Sequence, residues 1–138
     1  MRWLVKTEPD SYAFADLVAE GRTEWTGVRN AAARVHLRAM AVGDPVLVYH
    51  SGKEKAVVGT ATVARAARPD GDEGWVSVEL AAGDPLPRPV PLAAIKGDLA
   101  LVGLAMVRQS RLSVSPVTDA EWAAILALAG QPAAAKSA

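Results

Sequence analysis

Short runs of hydrophobic and polar residues change their period along the chain and predict strands interleaved with short helices. Strands are expected at residues 2–6, 46–49, 56–63, 75–80 and 112–114, where apolar, β-branched and aromatic side chains dominate. Residues 85–91 should be extended, because prolines cannot donate to a sheet ladder. The pattern therefore provides the strands of a small sheet.

Helices are predicted where capping residues precede apolar residues at helical spacing. Ser11 can cap a helix to about residue 20, and Asn30 can cap another over 31–41. A third helix is expected at 92–96, and Thr118 with Glu121 forms a capping box for a last helix to residue 128. Together these elements predict one α+β domain over residues 1–130, built on a small mixed β-barrel, with a disordered tail at 131–138.

Composition narrows the class of protein. The chain is 51% hydrophobic, which excludes wholesale disorder, and it has no cysteine, which suits a reducing cytoplasm. Its first apolar run is too short for a signal peptide or a membrane span, so we expect a cytoplasmic protein without a membrane partner. No metal site or other cofactor is expected, because two histidines without cysteine lack the usual ligand spacings and the nucleotide-binding glycine motifs are missing.

The charges balance in number but not in position. Fifteen basic and fifteen acidic residues give a formal net charge of +0, which argues against a protein that binds long duplexes by bulk electrostatics. Between residues 29 and 68, however, basic side chains far outnumber acidic ones, and the stretch 70–84 reverses the balance. A neutral total can therefore hide a basic face.

Polar side chains cluster at the junctions between predicted elements, at residues 6–10, 25–30, 49–51 and 108–113. Junctions of a barrel can converge on one mouth, which would bring these clusters together. The stretch 25–30 combines an indole with a guanidinium that can grip a phosphate or a base edge. Trp25 has two alternatives, a surface for stacking and a lid on the core.

Catalysis has weaker support than binding. Ser51, His50 and Glu8 could form a nucleophilic triad, but no glycine-flanked elbow surrounds Ser51. Taken one at a time, Glu8 could equally be a solvated carboxylate and His50 a structural histidine.

Several of these stretches resemble the EVE domain family of the PUA-like superfamily. The matching pieces run in order from about residue 2 to 130 and include WLVKTEPD at 3–10, WTGVRN at 25–30, VGD at 42–44, YHS at 49–51, PRPV at 87–90 and RLSV at 111–114. The resemblance implies five or six curved strands with flanking short helices and a pocket for a single modified base. Members of the family are associated with methylated or hydroxymethylated cytosine in DNA, and bacterial members with modified RNA.

The resemblance also implies the site. The expected base-pocket residues are Lys6, Thr7, Glu8, Trp25, Gly27, Val28, Arg29, Asn30, Tyr49, His50, Ser51, Arg111 and Ser113, and the expected contacts to the nucleic-acid backbone are Arg34 and Arg38. The expected function is non-catalytic recognition of a modified base in DNA. The alternatives are a reader of modified tRNA or rRNA and a small nucleoside hydrolase that uses Glu8 and His50.

Overall fold

The computed structural model describes residues 1–130, and the predicted disordered tail at 131–138 lies outside the described residues. The strands are β1 (Arg2–Thr7), β2 (Arg22–Trp25), β3 (Pro45–His50), β4 (Ala56–Pro69), β5 (Val76–Pro91) and β6 (Val114–Val117). The helices are α1 (Phe14–Glu20), α2 (Ala31–Ala39), α3 (Leu92–Lys96), α4 (Ala105–Arg108) and α5 (Asp119–Leu128), with a 3₁₀ turn at Leu99–Leu101. No helix within residues 1–130 is long and apolar enough to cross a membrane.

The strands form one mixed six-stranded sheet in the order β2-β5-β4-β3-β1-β6. β1 pairs in parallel with β3 and antiparallel with β6, and the remaining ladders are antiparallel. The expected α+β class, with five to six strands and short flanking helices, is confirmed. The sheet is not closed, because β2 and β6 are its two edges. Register shifts along the β4–β5 ladder, such as the one between Val57 and Gly59, bend these two long strands.

Two hydrophobic clusters cover the two faces of the sheet. Alternation along β1 places Trp3 and Val5 in one cluster and Leu4 in the other. The first cluster contains α1 and α2 through Leu17 and Leu37. The second contains the C-terminal helices, through residues that include Leu101, Leu104, Met106 and Ile125. The helices are therefore held on the sheet by the apolar side chains that they contribute to these clusters.

Two of the three predicted helix caps are confirmed and the one at Ser11 is wrong, because α1 begins at Phe14 with Ala13 at its N-cap and no side-chain cap. Asn30 and Thr118 cap α2 and α5 as expected, and the capping box with Glu121 is formed. The prediction missed β2, which pairs with a strand more than fifty residues away, from Trp25 to Val78. It also ended the strand at 75–80 too early, because β5 runs on through the proline-rich stretch, and it began the late strand at 112 instead of Val114.

Candidate functional site

A cavity of about 460 Å³ opens where β1 and β2 end, and we call it the Trp25 pocket. It is lined by predicted site residues from three separate stretches: Lys6, Thr7, Glu8, Trp25, Gly27, Val28, Arg29 and Ser113. At this cavity the chain leaves β1 at Glu8 and β2 at Thr26, while Ser113 precedes β6, the neighbour of β1. The backbone N–H of Lys6 donates to the Ser113 carbonyl at 2.9 Å and closes this side of the pocket.

Trp25 is mostly a core residue. It is the last residue of β2 and only 8% exposed, so of the two alternatives the structure favours packing. Its indole meets the ring of Tyr12 edge to face, with the ring centroids 5.9 Å apart and an interplanar angle of 85°. Tyr12 is only partly buried and lines the same pocket. The aromatic wall therefore consists of two rings.

Asp70 holds the loop that follows Trp25, residues 26–30, which we call the binding loop. Its Oδ2 accepts the backbone N–H of Gly27 at 2.9 Å and a guanidinium N–H of Arg29 at 3.0 Å. The backbone N–H of Gly27 has the larger effect and the Arg29 guanidinium the smaller, and together they hold the pKa of the Asp70 carboxyl below its usual value. Gly27 has φ +79°, which suits glycine, so the loop reverses here without strain.

The two carboxylates of the pocket differ in their availability. Glu24 accepts Arg68 at 2.7 Å and the hydroxyl of Ser77 at 2.6 Å, and these donors lower its pKa. Glu8 accepts only the backbone N–H of Asp10, at 3.2 Å, among the described residues. Glu24 is thus committed to linking β2 with β4 and β5, whereas Glu8 has acceptor capacity left for a ligand.

Lys6 forms part of the pocket wall. Its Nζ donates to the Ser110 carbonyl at 2.9 Å and lies 5.7 Å from the centroid of the Tyr49 ring. Burial lowers the pKa of this ammonium. Thr7 is engaged as well, because its hydroxyl donates to the Tyr12 carbonyl at 2.6 Å. One N–H of the Lys6 ammonium is therefore used internally, and the group has two more to offer.

The other predicted site residues lie outside the Trp25 pocket. Tyr49 and Ser51 border a cavity of about 310 Å³, which we call the lysine cavity. Asn30 and Arg111 border a third cavity of about 340 Å³, which we call the arginine cavity. Asn30 also caps α2, accepting the N–H of Ala33 at 2.9 Å.

His50 is buried with both ring nitrogens engaged. Its Nε2 accepts the backbone N–H of Phe14 at 2.9 Å, and its Nδ1 lies 2.8 Å from a carboxylate oxygen of Glu54. Since Nε2 must accept, the proton of the neutral ring sits on Nδ1 and is donated to Glu54. His50 has no free nitrogen with which to take a proton from a substrate, which speaks against the hydrolase alternative.

The arginines of α2 in the predicted basic face bind back onto the protein. Arg34 and Arg38 donate to the carbonyls of Glu73 and Gly74, at 3.4 and 3.0 Å. The guanidinium of Arg34 also lies 4.7 Å from the centroid of the Trp75 ring. Both arginines hold the 70–74 loop, and their contact with a nucleic-acid backbone stays a prediction.

Four lining residues were missed by sequence reasoning: Tyr12, Thr23, Glu24 and Thr26. Thr26 lies inside the 25–30 stretch, and Thr23 and Glu24 would have been found by extending that stretch toward the N-terminus. Tyr12 carried a weaker signal. It is an aromatic residue just after the Pro9 turn, and it was read as part of a helix that in fact begins at Phe14.

Comparison with known proteins gives consistent matches over most of the chain. The family model described as "EVE domain" matches residues 1–128. Thymocyte nuclear protein 1 of Gallus gallus is 31% identical over 163 residues, which cover 91% of this chain and 67% of that protein.

Two solved structures are similar across the whole sheet. A protein from Agrobacterium tumefaciens shows a TM-score of 0.93 and 37% identity, covering 96% of this chain and 94% of that one. The human THYN1 protein, solved in complex with DNA that contains 5-methylcytosine, shows a TM-score of 0.88 and 29% identity, covering 94% and 98%.

Proposed function

Since the chain belongs to the EVE domain family, we propose that it is a non-catalytic reader of DNA that accepts one methylated or hydroxymethylated cytosine in the Trp25 pocket. The observation that carries this proposal is its similarity, over nearly the whole chain, to the human THYN1 protein bound to 5-methylcytosine DNA. The chemistry of the pocket supports it independently.

The pocket offers groups that match the edge of a cytosine. A carboxylate is a good acceptor for the exocyclic amino group of cytosine, and Glu8 is the pocket carboxylate with capacity left. Lys6 supplies a donor for the ring nitrogen or the carbonyl oxygen. Trp25, Tyr12 and Val28 supply apolar walls for the ring and its methyl group. We assign base-edge reading to Glu8 and Lys6.

The energetics require a pocket that binds the modified base more tightly than the unmodified one. Taking a base out of a duplex costs a few kcal/mol, and aromatic stacking returns about 1–3 kcal/mol per base. Hydrogen bonds and the buried methyl group must supply the rest, at about 0.8 kcal/mol for a fully buried methylene-sized group. An unmodified oligonucleotide should therefore bind weakly.

The first experiment compares oligonucleotides of one sequence that carry cytosine, 5-methylcytosine or 5-hydroxymethylcytosine at a single position. We expect tighter binding of a modified form, and Glu8→Gln should reduce that preference because a modified base enters the pocket more readily and an inserted base loses a charged acceptor for its amino group. Glu73→Gln, a change in the exposed loop, is the matched control. Equal binding of all three oligonucleotides would contradict the proposal.

Two further arms address the alternatives. Preference for modified tRNA or rRNA over methylated DNA would assign the pocket to RNA. Conversion of a modified nucleoside, lost in Glu8→Gln, would assign it to an enzyme.

A further inference from the structure

Cationic side chains of residues 1–130 fall into two groups according to their partners. The arginines of the basic stretch 29–68 bind back onto the protein: Arg29 pairs with Asp70, Arg65 and Arg68 pair with Glu24, and Arg34 and Arg38 donate to backbone carbonyls. Within residues 1–130, no hydrogen bond or ion pair is formed by the side chains of Lys53, Lys55, Lys96, Arg108 and Arg111, and all five residues are exposed.

Four of these cations line the two cavities beside the Trp25 pocket. Lys55 and Lys96 line the lysine cavity together with Lys6, and Arg108 and Arg111 line the arginine cavity. No aspartate or glutamate lines either cavity, whereas the Trp25 pocket contains Glu8 and Glu24. The two flanking cavities are thus positively charged and suited to anions.

All three cavities meet at one contact. Lys6 lines both the Trp25 pocket and the lysine cavity, and Ser110 lines both the lysine cavity and the arginine cavity. The hydrogen bond from Lys6 Nζ to the Ser110 carbonyl, at 2.9 Å, is their shared wall. The two flanking cavities therefore adjoin the Trp25 pocket at this one contact.

The backbone beneath these cations is held in place by hydrogen bonds. The carbonyl of Lys55 accepts the N–H of Leu92 at 2.8 Å, which ties the β3–β4 connection to the start of α3. The N–H of Gln109 donates to the Ala105 carbonyl at 2.9 Å, and the N–H of Leu112 donates to the Gln109 carbonyl at 3.0 Å. The long side chains therefore project from ordered backbone.

We propose that the lysine and arginine cavities bind the phosphates on the two sides of the inserted nucleotide, through Lys55 and Lys96 on one side and Arg108 and Arg111 on the other. This inference rests on the proposed function, because it places the backbone relative to a base in the Trp25 pocket. It assigns backbone binding to these four side chains, in place of Arg34 and Arg38, which hold the 70–74 loop.

The test measures the salt dependence of binding with two paired variants, Lys55→Gln/Lys96→Gln and Arg108→Gln/Arg111→Gln. Each is titrated with one oligonucleotide with and without 5-methylcytosine, at several salt concentrations. Loss of one phosphate contact should reduce the slope of log affinity against log salt by about 1 and weaken both oligonucleotides alike. The modified-to-unmodified preference should stay at its wild-type value.

Arg22→Gln is the matched control and should not change the slope, and Arg34→Gln/Arg38→Gln tests the backbone contacts that the family resemblance implies. Arg22 lies on the edge strand β2 and pairs with Glu79 of β5. If the wild type prefers the modified base and both cavity variants keep the wild-type slope, the phosphate assignment is overturned while the proposed function stands.

The opposite result also distinguishes a failure of base reading from a failure of phosphate binding. If the wild type binds both oligonucleotides equally and the cavity variants lose slope, reading of the modified base fails while phosphate binding by the two cavities stands. A slope reduced only in Arg34→Gln/Arg38→Gln would overturn the assignment, and a wild type that binds neither oligonucleotide would overturn both proposals.

Discussion

At the scale of single residues, Glu8 depends on a glycine that is distant in sequence. Gly52 has φ +78°, and a Cβ built on it would clash with Oε2 of Glu8. The carboxylate therefore occupies space that a side chain at position 52 would take. Since Glu8 is the proposed acceptor for the cytosine amino group, the identity of residue 52 controls the position of that acceptor.

We predict that Gly52→Ala impairs base recognition beyond its effect on stability. Alanine at positive φ should destabilise the fold by about 1–2 kcal/mol, and its methyl group should push the flexible Glu8 side chain aside. Binding of a 5-methylcytosine oligonucleotide, measured by fluorescence anisotropy, should then approach that of the unmodified one.

Gly21→Ala provides the control for this prediction. Gly21 has φ +79°, and a Cβ there would meet nothing within 4 Å, so it shares the backbone strain without the clash. Comparable thermal midpoints with a base preference lost only in Gly52→Ala are expected. A preserved preference in Gly52→Ala would show that Glu8 does not read the base.

At the scale of elements, Asn30 joins the binding loop to α2. Its side chain caps the helix, and the residue borders the arginine cavity instead of the Trp25 pocket. Losing a cap costs about 1 kcal/mol, whereas aspartate preserves the acceptor. We predict that Asn30→Ala lowers the free energy of unfolding by about 1 kcal/mol and that Asn30→Asp restores it.

Binding measured on the same pair separates the cap from a ligand contact. If Asn30 acts through the cap, Asn30→Asp should retain the wild-type preference for the modified base. A preference lost equally in both variants would instead place the Asn30 amide on the base, as the family resemblance implies.

Elements whose signals lie within a few residues could be predicted from the sequence, and those that depend on distant pairing could not. The Thr118–Glu121 capping box spans three positions and was recognised. β2 contains charged residues and forms a strand because Trp25 and its neighbours pair with β5. No local pattern in the sequence shows this pairing. The sequence pattern placed Trp25 at a junction between elements, and not at the end of a strand, for the same reason.

For the site, the sequence predicted which stretches carry pocket residues better than which cavity each residue lines. Residues 6–8 and 25–29 do meet at one cavity, because β1 and β2 end there. Tyr49 and Ser51 instead border the neighbouring lysine cavity, and His50 points into a buried hydrogen-bond network. Which cavity a side chain enters depends on strand parity and on the β3–β4 register shift after Val48, which the sequence pattern does not show.

At the scale of the whole molecule, carboxylates tie together segments that are far apart in sequence. Asp70 joins the 70–74 loop to the binding loop, and Glu24 joins β2 to β4 and β5. Both carboxyls have a pKa below the ordinary value, because backbone N–H, guanidinium and hydroxyl donors stabilise the charged form. Burial also lowers the pKa of His36, whose ring lies 5.9 Å from that of Trp3.

These pKa shifts predict that the thermal midpoint falls in two steps as the pH is lowered. The first begins near the ordinary histidine pKa of about 6.5, because the unfolded chain takes up a proton that folded His36 resists. The second begins near the ordinary carboxyl values of about 4, because stability from Asp70 and Glu24 is present above the unfolded pKa and is lost as the pH falls through their lower folded values. His36→Gln should abolish the first step and Glu24→Gln should shrink the second, whereas Asp72→Asn, in the same loop as Asp70, should change neither. Two steps that persist unchanged in His36→Gln and Glu24→Gln would show that other groups govern acid stability, since a side chain that is no longer titratable cannot contribute a step.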